Sequence, residues 1–516
     1  MKNLHYIIMF CFAVFLASCS KDLGNYEYTD INELAISGVN GNYTARTGID
    51  TIRINPKILA TMDESDPSRY EHRWVLRLSG TKLDTIGREQ NLVYAVRLNP
   101  GTNNFYYRVR DTKTGVTWIA NSVLNVSTSY SRGWLIMGEN EEGFAEAEMI
   151  SIINDDTVHI KNILTNSGLP PLREPVSLLH TGGAESYSNM KVWALTKTGS
   201  YFLDRATMTA TTNNNFSRLL YISETLDPQT LHPIAIAPQI RTAAGLVGSQ
   251  FYRAKITVAK DVFTGSPLLG GGDYFNNPVN RVATDPQTRL PAAPYLLHSI
   301  GNMSTFLWYD LQNQRFLNYT SFAAIASVPL ADVAGSIFPW NQPAGRTLVY
   351  AENTRNSDGG ATNGNSFAIM KDANNTHHIY KFYATGANPI KRAFYTVKPI
   401  ATNFDKADFY AFSSNRTVIF YSVGSKLYSY DYNPNNERLL EHTEHGGDEI
   451  SMLKFDTQFD HVTNSLYIAS YNGAAKGKLQ RFRVGTNPNV VELLPQPNST
   501  WTDLIKVKDI NWRAVN

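Results

Sequence analysis

Three stretches of this chain repeat one pattern in different letters, and that repetition limits the fold more than any other feature. Ile379-Tyr380-Lys381-Phe382-Tyr383 is followed by Asn388-Pro389 and an apolar run from Ile390 to Phe394. Leu427 to Tyr432 is followed by Asn433-Pro434 and Arg438-Leu439-Leu440, and Leu479 to Val484 by Asn487-Pro488 and Val490 to Leu494. Each unit reads as a strand, an Asn-Pro turn and a second strand. Aromatic and β-branched residues favour extended backbone, while Asn and Pro set turns. The openings at 379, 427 and 479 stand 48 and 52 residues apart. Another strand precedes each unit (366–370, 417–421 and 465–469), and looser copies occupy 190–203 and 305–319.

A repeat of about 50 residues built from short antiparallel strands predicts a β-propeller, whose sheets bury each other's faces. Helical solenoids are excluded, because the units alternate with a period of two rather than 3.6. The 384 residues from Gly133 onward correspond to about seven blades, with six or eight also allowed. The segment from Asp503 to Trp512 (Leu504, Ile505, Val507 and Ile510 among it) is expected to pair near Trp134, closing the ring and removing exposed edges.

Residues 35–128 follow another rhythm and read as one β-sandwich. In Arg73-Trp74-Val75-Leu76-Arg77-Leu78 the apolar Trp74, Leu76 and Leu78 share a face, as do Phe105, Tyr107 and Val109. Asp111 to Gly115 supplies a hairpin turn. A tryptophan on an early strand facing a late aromatic strand is the core of an immunoglobulin-like sandwich, so Trp74 is expected to pack rather than to touch ligand. The predicted class is therefore all-β: an immunoglobulin-like sandwich, then a propeller over residues 129–516.

The N-terminus carries an address. Lys2 opens an apolar run from Leu4 to Leu16, and Leu16-Ala17-Ser18-Cys19 ends it in the pattern of a bacterial lipobox. The run is shorter than the ~20 residues a spanning helix needs. Residues 1–18 are thus expected to be a signal peptide, Cys19 the lipid attachment site, and residues 19–34 a tether that clears the membrane. An ordinary secretory signal that happens to contain a cysteine is the alternative. The chain has 2 cysteines, Cys11 and Cys19. With Cys11 lost in the signal, no disulfide framework remains, and the core alone must hold the fold.

Charge excludes some partners. The net charge of +2 drops to +1 when Lys2 leaves, with no basic stripe for nucleic acid and no polybasic cluster for lipid headgroups.

Catalytic signatures are missing from the sequence: no His-Glu-x-x-His, no Gly-x-Ser-x-Gly and no phosphate-cradling loop. Gly270-Gly271-Gly272-Asp273 follows no strand-to-helix unit and reads as a loop. His442-x-x-His445 with Glu441 and Glu444 has metal-ligand residue types but reads as a solvated turn. His377-His378 point to opposite faces of a strand. Asp358-Gly359-Gly360 lacks the ligand set of a calcium loop. No catalytic residue, metal ligand or cofactor is expected. Tyr274, Phe275 and Trp340 lie in turn-rich segments, either as exposed rings that stack on sugars and anchor partners or as packing within large loops. Asp50-Thr51-Ile52, Asp84-Thr85-Ile86 and Asp156-Thr157-Val158 resemble a bacterial O-glycosylation pattern.

Ser18-Cys19 followed by Asp22-Leu23-Gly24-Asn25-Tyr26-Glu27-Tyr28 and Asn32-Glu33 resembles the start of PKD-like family lipoproteins, and Gly133-Trp134-Leu135-Ile136-Met137 with Glu139 resembles the opening of their C-terminal region. The chain departs from a standard PKD domain in lacking a Trp-x-x-Gly-Asp-Gly turn after Trp74. The resemblance implies a PKD-like sandwich in an outer-membrane lipoprotein facing the cell exterior. It further implies an accessory, non-enzymatic role beside a TonB-dependent barrel and its lid lipoprotein, capturing oligosaccharide or peptide. A surface propeller hydrolase (glycosidase or lyase) and a purely structural assembly factor are the alternatives.

Overall fold

A computed structural model of the chain describes residues 32–62, 66–78, 82–153, 156–181, 191–238, 240–242, 245–247, 254–265, 274–300, 302–321, 324–459 and 463–514. The lipobox, Cys19, most of the tether and the Gly270–Asp273 run lie outside them. The described helices are 3-10 turns of three or four residues, and the chain is otherwise strand and loop. No helix among the described residues is long and apolar enough to cross a membrane. Two compact units divide at Ser127 and Thr128.

In the first unit a five-stranded sheet runs in the order Asn42–Arg46, Thr117–Ser127, Gly101–Asp111, Tyr70–Arg77, Leu83–Gly87. The first pair is parallel, which turn chemistry between neighbours in sequence does not reveal. Two ribbons, Leu34–Ser37 with Lys57–Ala60 and Thr51–Ile54 with Leu92–Ala95, complete the unit. Trp74 is fully buried and stacks on Tyr107 with centroids 4.5 Å apart, among Leu76, Phe105, Ile52 and Ile54. That is the packing role expected for it. Val75 is buried as well, so the alternation of this strand is incomplete. At the predicted hairpin, Asp111 accepts the N–H groups of Lys113 and Thr114 through Oδ1 and Arg69 Nη2 at 2.6 Å through Oδ2.

The second unit is a succession of seven sheets among its described residues, with a separate ribbon at Ile240–Thr242 and Gly245–Val247. Sheets 2 to 7 are led by Pro175–Thr181, Pro233–Ile236, Leu297–Ser299, Thr347–Asn353, Phe409–Phe412 and Glu449–Phe455. Sheet 1 is different. Its strands Arg132–Glu139, Ala145–Ile153 and Asp156–Ile160 take their fourth member from the C-terminal end, Lys506–Ala514. The C-terminal segment thus pairs beside Trp134, as the sequence anticipated, and Trp512 stands opposite Trp134.

Strands buried on both faces explain why the repeat reads as apolar runs. Along Val418–Val423, Val418 and Phe420 enter a core shared with sheet 7, while Ile419 and Tyr421 enter one shared with sheet 5. Along Ser366–Lys371, Phe367 and Ile369 face sheet 6, and Ala368 and Met370 face sheet 4. The same division continues throughout. Leu135 and Met149 meet Leu178 and Val192; Leu179 and Trp193 meet Ile236 and Phe263; Ile256 and Val262 meet Phe306 and Trp308. The last core brings Met452, Tyr467 and Leu479 of sheet 7 against Trp134, Ile136, Ile510 and Trp512 of sheet 1. Each sheet therefore buries one face against its predecessor and one against its successor, and the succession returns to its start. Each fully buried large side chain contributes about 1.5–3 kcal/mol.

Gly133 is among the glycines that this arrangement requires. Gly133 has φ 145°, and a Cβ there would stand 2.0 Å from the carbonyl oxygen of Ile150 on the paired strand.

Candidate functional site

The leading strands of the sheets converge on a polar cluster whose charged members come from sheets 1, 5 and 7. Asp509, on Lys506–Ala514 of sheet 1, accepts from Ser177 Oγ of sheet 2 at 2.5 Å and from Lys454 Nζ of sheet 7 at 2.8 Å. Lys454 also donates to the carbonyl of Ile510 at 2.8 Å, and Asn511 Nδ2 donates to Asp509 at 2.7 Å and to Ser177 at 2.8 Å. Glu352, on the leading strand of sheet 5, accepts the backbone N–H of Phe412 from sheet 6 and the hydroxyl of Tyr350. Tyr350 in turn meets Tyr295 from the approach to sheet 4, edge to face at 5.9 Å. Arg355, just past Glu352, reaches over to sheet 7 and donates to the carbonyl of Thr457 from Nε at 2.9 Å and Nη2 at 2.8 Å.

Burial sets the charge state of Glu352. Burial dominates at Glu352 and pushes its carboxyl up to about 8, against the pull of the Phe412 N–H, Tyr350 and Lys454. Glu352 is therefore mostly protonated at neutral pH. Burial also raises Tyr295 to about 12. Asp509, by contrast, is a hydrogen-bonded counter-ion to Lys454. The signal for this cluster was present in the sequence. Glu352, Lys454 and Asp509 are each a charged residue inside an otherwise apolar or mixed strand, near the same place in its repeat. Nothing in one sequence says that these positions meet.

A second feature lies on the surface of the same unit. A cleft of about 1370 Å³ is lined by Tyr221, Ile222, Pro278, Ala324 and Ile325, with Arg281 and Glu224 paired at 2.7 Å in its wall. Tyr221 and Ile325 are 71% and 83% exposed.

Of the three aromatic candidates, only Tyr274 keeps its ring in solvent. Phe275 is buried against Phe216 at 5.2 Å, with Lys255 Nζ 3.9 Å from its centroid. Trp340 is buried among Phe316, Phe338 and Phe382 at 5.3–5.7 Å. Packing, not ligand contact, is the role of both. The three are not brought together: Phe275 belongs to the core between sheets 2 and 3, and Trp340 to that between sheets 4 and 5.

The paired histidines correct another expectation. His442 and His445 are buried, not in a solvated turn. His442 Nε2 meets Ser429 Oγ at 2.8 Å and His445 Nε2 the carbonyl of Ser425 at 2.9 Å, so they serve separate backbone and side-chain partners. His378 pairs with Asp372 at 2.7 Å, while His377 packs on Phe404. Asp358 accepts from Lys381 Nζ at 2.6 Å and Asn356 Nδ2 at 3.0 Å. Among the described residues no group of three or more His, Cys, Asp or Glu is placed to hold a metal ion.

Residues 19–167 match the PKD-like family. The match begins at Cys19, spans the first unit and continues through the first three strands of sheet 1. The family resemblance drawn from the residues before 140 is thereby borne out for this stretch. Among solved structures, the chain is similar to a quinonprotein alcohol dehydrogenase-like protein from Bacteroides thetaiotaomicron (12% identity, 92% of this chain and 97% of that one, TM-score 0.34). It is also similar to the extracellular domain of a putative one component system from B. thetaiotaomicron (9%, 89% and 64%, TM-score 0.35). A third is PorZ, a surface component of the type-IX secretion system of Porphyromonas gingivalis (8%, 78% and 58%, TM-score 0.21). No curated protein matches the chain.

Proposed function

We propose that this chain is a non-enzymatic outer-membrane lipoprotein, anchored through Cys19, that serves as an accessory ligand-binding component of a TonB-dependent import complex. Its second unit is a seven-bladed propeller in this reading. Support for the propeller comes from seven consecutive sheets, each sharing a core with the next and the last with the first. The PKD-like stretch that starts at Cys19 supports the anchored role.

The observation that carries the binding role is the cleft. Ile325 and Tyr221 are among the most exposed large apolar side chains of the second unit, and both line it. Solvent-facing apolar side chains gathered in one concavity, with an ion pair in the wall, favour capture of a ligand or partner surface. Gentle detergent extraction followed by affinity capture of the full-length lipoprotein tests this. A barrel and its lid should be recovered with it, and Ile325→Asp with Tyr221→Ala should reduce their retention or that of a bound oligosaccharide or peptide. Recovery of the lipoprotein alone, while a known barrel–lid pair stays intact, overturns the reading.

One observation favours the hydrolase as a second reading. Glu352 holds its proton near neutrality, and Lys454, whose charge acts on it, is hydrogen-bonded to a second carboxyl group, Asp509; two carboxyl groups are what glycoside cleavage uses. Against it, Asp509 is engaged by Ser177, Asn511 and Lys454 and is occupied in joining strands. Turnover of any oligosaccharide that vanishes in Glu352→Gln would decide for the hydrolase.

A further inference from the structure

Asp-Thr occurs five times in the chain, and the structure sorts the occurrences into two kinds. In Asp111-Thr112-Lys113 and Asp456-Thr457-Gln458 the aspartate is buried and caps a turn. Asp111 accepts from Lys113 N–H at 2.8 Å, and Asp456 from Gln458 N–H and Phe459 N–H at 2.8 Å. The Thr112 hydroxyl is also occupied, donating to the carbonyl of Arg69 at 2.8 Å.

The three occurrences followed by an aliphatic residue differ at the threonine, although Asp50, like Asp111, accepts a backbone N–H and a guanidinium, here both from Arg46. Thr51, Thr85 and Thr157 are all exposed. Thr51 lies on Thr51–Ile54, which pairs only with Leu92–Ala95; Thr85 lies on Leu83–Gly87, the edge of the five-stranded sheet; Thr157 lies on Asp156–Ile160, the edge of sheet 1. None of the three hydroxyls has a hydrogen-bond partner among the described residues. Each is a free nucleophile on an extended segment with one unpaired backbone side. An enzyme that reads extended peptide by adding a strand can grip such a segment.

We propose that Thr51, Thr85 and Thr157 are O-glycosylation sites, modified after export. In the reaction the threonine Oγ–C1 bond of the sugar forms. The C1–O bond to phosphate of a sugar (pyro)phosphate donor breaks, and the hydroxyl proton leaves with the released phosphate. The neighbouring aspartate argues for a sugar over a phosphate. A phosphothreonine beside Asp50, Asp84 or Asp156 would set like charges together, whereas a neutral glycan does not. A bulky hydrated group also shields three strand edges from pairing with other chains.

The proposal rests on export, and its test separates the two. The protein is purified from the membrane of its own host and measured by intact-mass and peptide mass spectrometry. The mature chain should exceed lipid-modified polypeptide by three glycan masses, carried on the three peptides. Thr51→Val, Thr85→Val and Thr157→Val should each remove one, and Asp84→Asn should remove the glycan from Thr85 although the hydroxyl remains. Thr112→Val and Thr457→Val should change nothing beyond the substitution. A chain lacking its signal with all three peptides at bare mass, or with phosphate in place of sugar, overturns the proposal. A glycosylated chain that keeps its signal overturns the export reading and leaves the modification standing, and a bare chain that keeps its signal overturns both.

Discussion

Trp134 and Trp512, from the two ends of the second unit, stand directly opposite each other on neighbouring strands with ring centroids 5.0 Å apart. Phe459 packs on Trp512 at 4.1 Å and Tyr467 on Trp134 at 4.7 Å, so the contact joins three separate parts of the chain. Trp512→Ala is expected to cost about 3–5 kcal/mol, read as a lower midpoint in denaturant. The double variant with Trp134→Ala should lose less than the sum of the two, because the rings share one cavity. Truncation after residue 500 should yield insoluble protein, and a soluble, cooperatively unfolding truncate would refute the closing role of the last strand.

Gly133→Ala should be worse than its size suggests. The backbone there has φ 145°, and the new methyl would sit 2.0 Å from the Ile150 carbonyl. Left-handed backbone alone costs a non-glycine residue about 1–2 kcal/mol, and the clash must be relieved by parting two strands of sheet 1. A fall in thermal midpoint larger than that of the exposed control Gly48→Ala checks this. Gly48 is also at positive φ, with nothing within 4 Å of the position.

Much of the strand architecture was legible because the inner strands of the repeat, such as Ser366–Lys371, His377–Tyr383, Val418–Val423 and Lys426–Asp431, are buried on both faces, and burial writes itself as apolar runs. Lys426–Asp431 and Arg438–His442 fall where Leu427 and Leu440 indicated, and the segment ending at Trp512 pairs beside Trp134 as expected. Contacts that depend on the return of one repeat to another were not legible. Glu352, Lys454 and Asp509 each look like an ordinary interruption of a strand, and only convergence gives them one environment. For Phe275 and Trp340 the sequence left exposure and packing both open, for a related reason. Turn-rich composition describes the backbone of a loop, not which of its rings folds under it, and both rings are drawn into cores between sheets.

Asp111→Asn in the first unit is expected to cost about 3 kcal/mol, because it leaves the buried Arg69 guanidinium without its carboxylate. Arg69 holds the Asp111 carboxyl far below the usual range, with the Lys113 and Thr114 N–H groups adding to the effect. The folded state thus binds this proton less readily than the unfolded state. Its stabilisation is complete above the unfolded value of about 4 and drains away as pH falls below it. Denaturant titrations between pH 6 and pH 3 should show wild type converging on Asp111→Asn.

Glu352 gives the opposite slope. Its carboxyl titrates at about 8 in the folded chain and near 4.3 when unfolded, so between those values the folded state carries the extra proton. Stability from this group is therefore fully present below about pH 4.3, is lost progressively as pH rises toward 8, and changes no further above it. Glu352→Gln keeps the shape and removes the titration. Relative to wild type, the variant should gain thermal midpoint steadily from pH 5 to pH 8, with a plateau by pH 9. Parallel melting curves for the two proteins across that range would mean that Glu352 is solvated like a surface carboxylate, and its burial against Tyr350 and Phe412 would not be the source of its protonation.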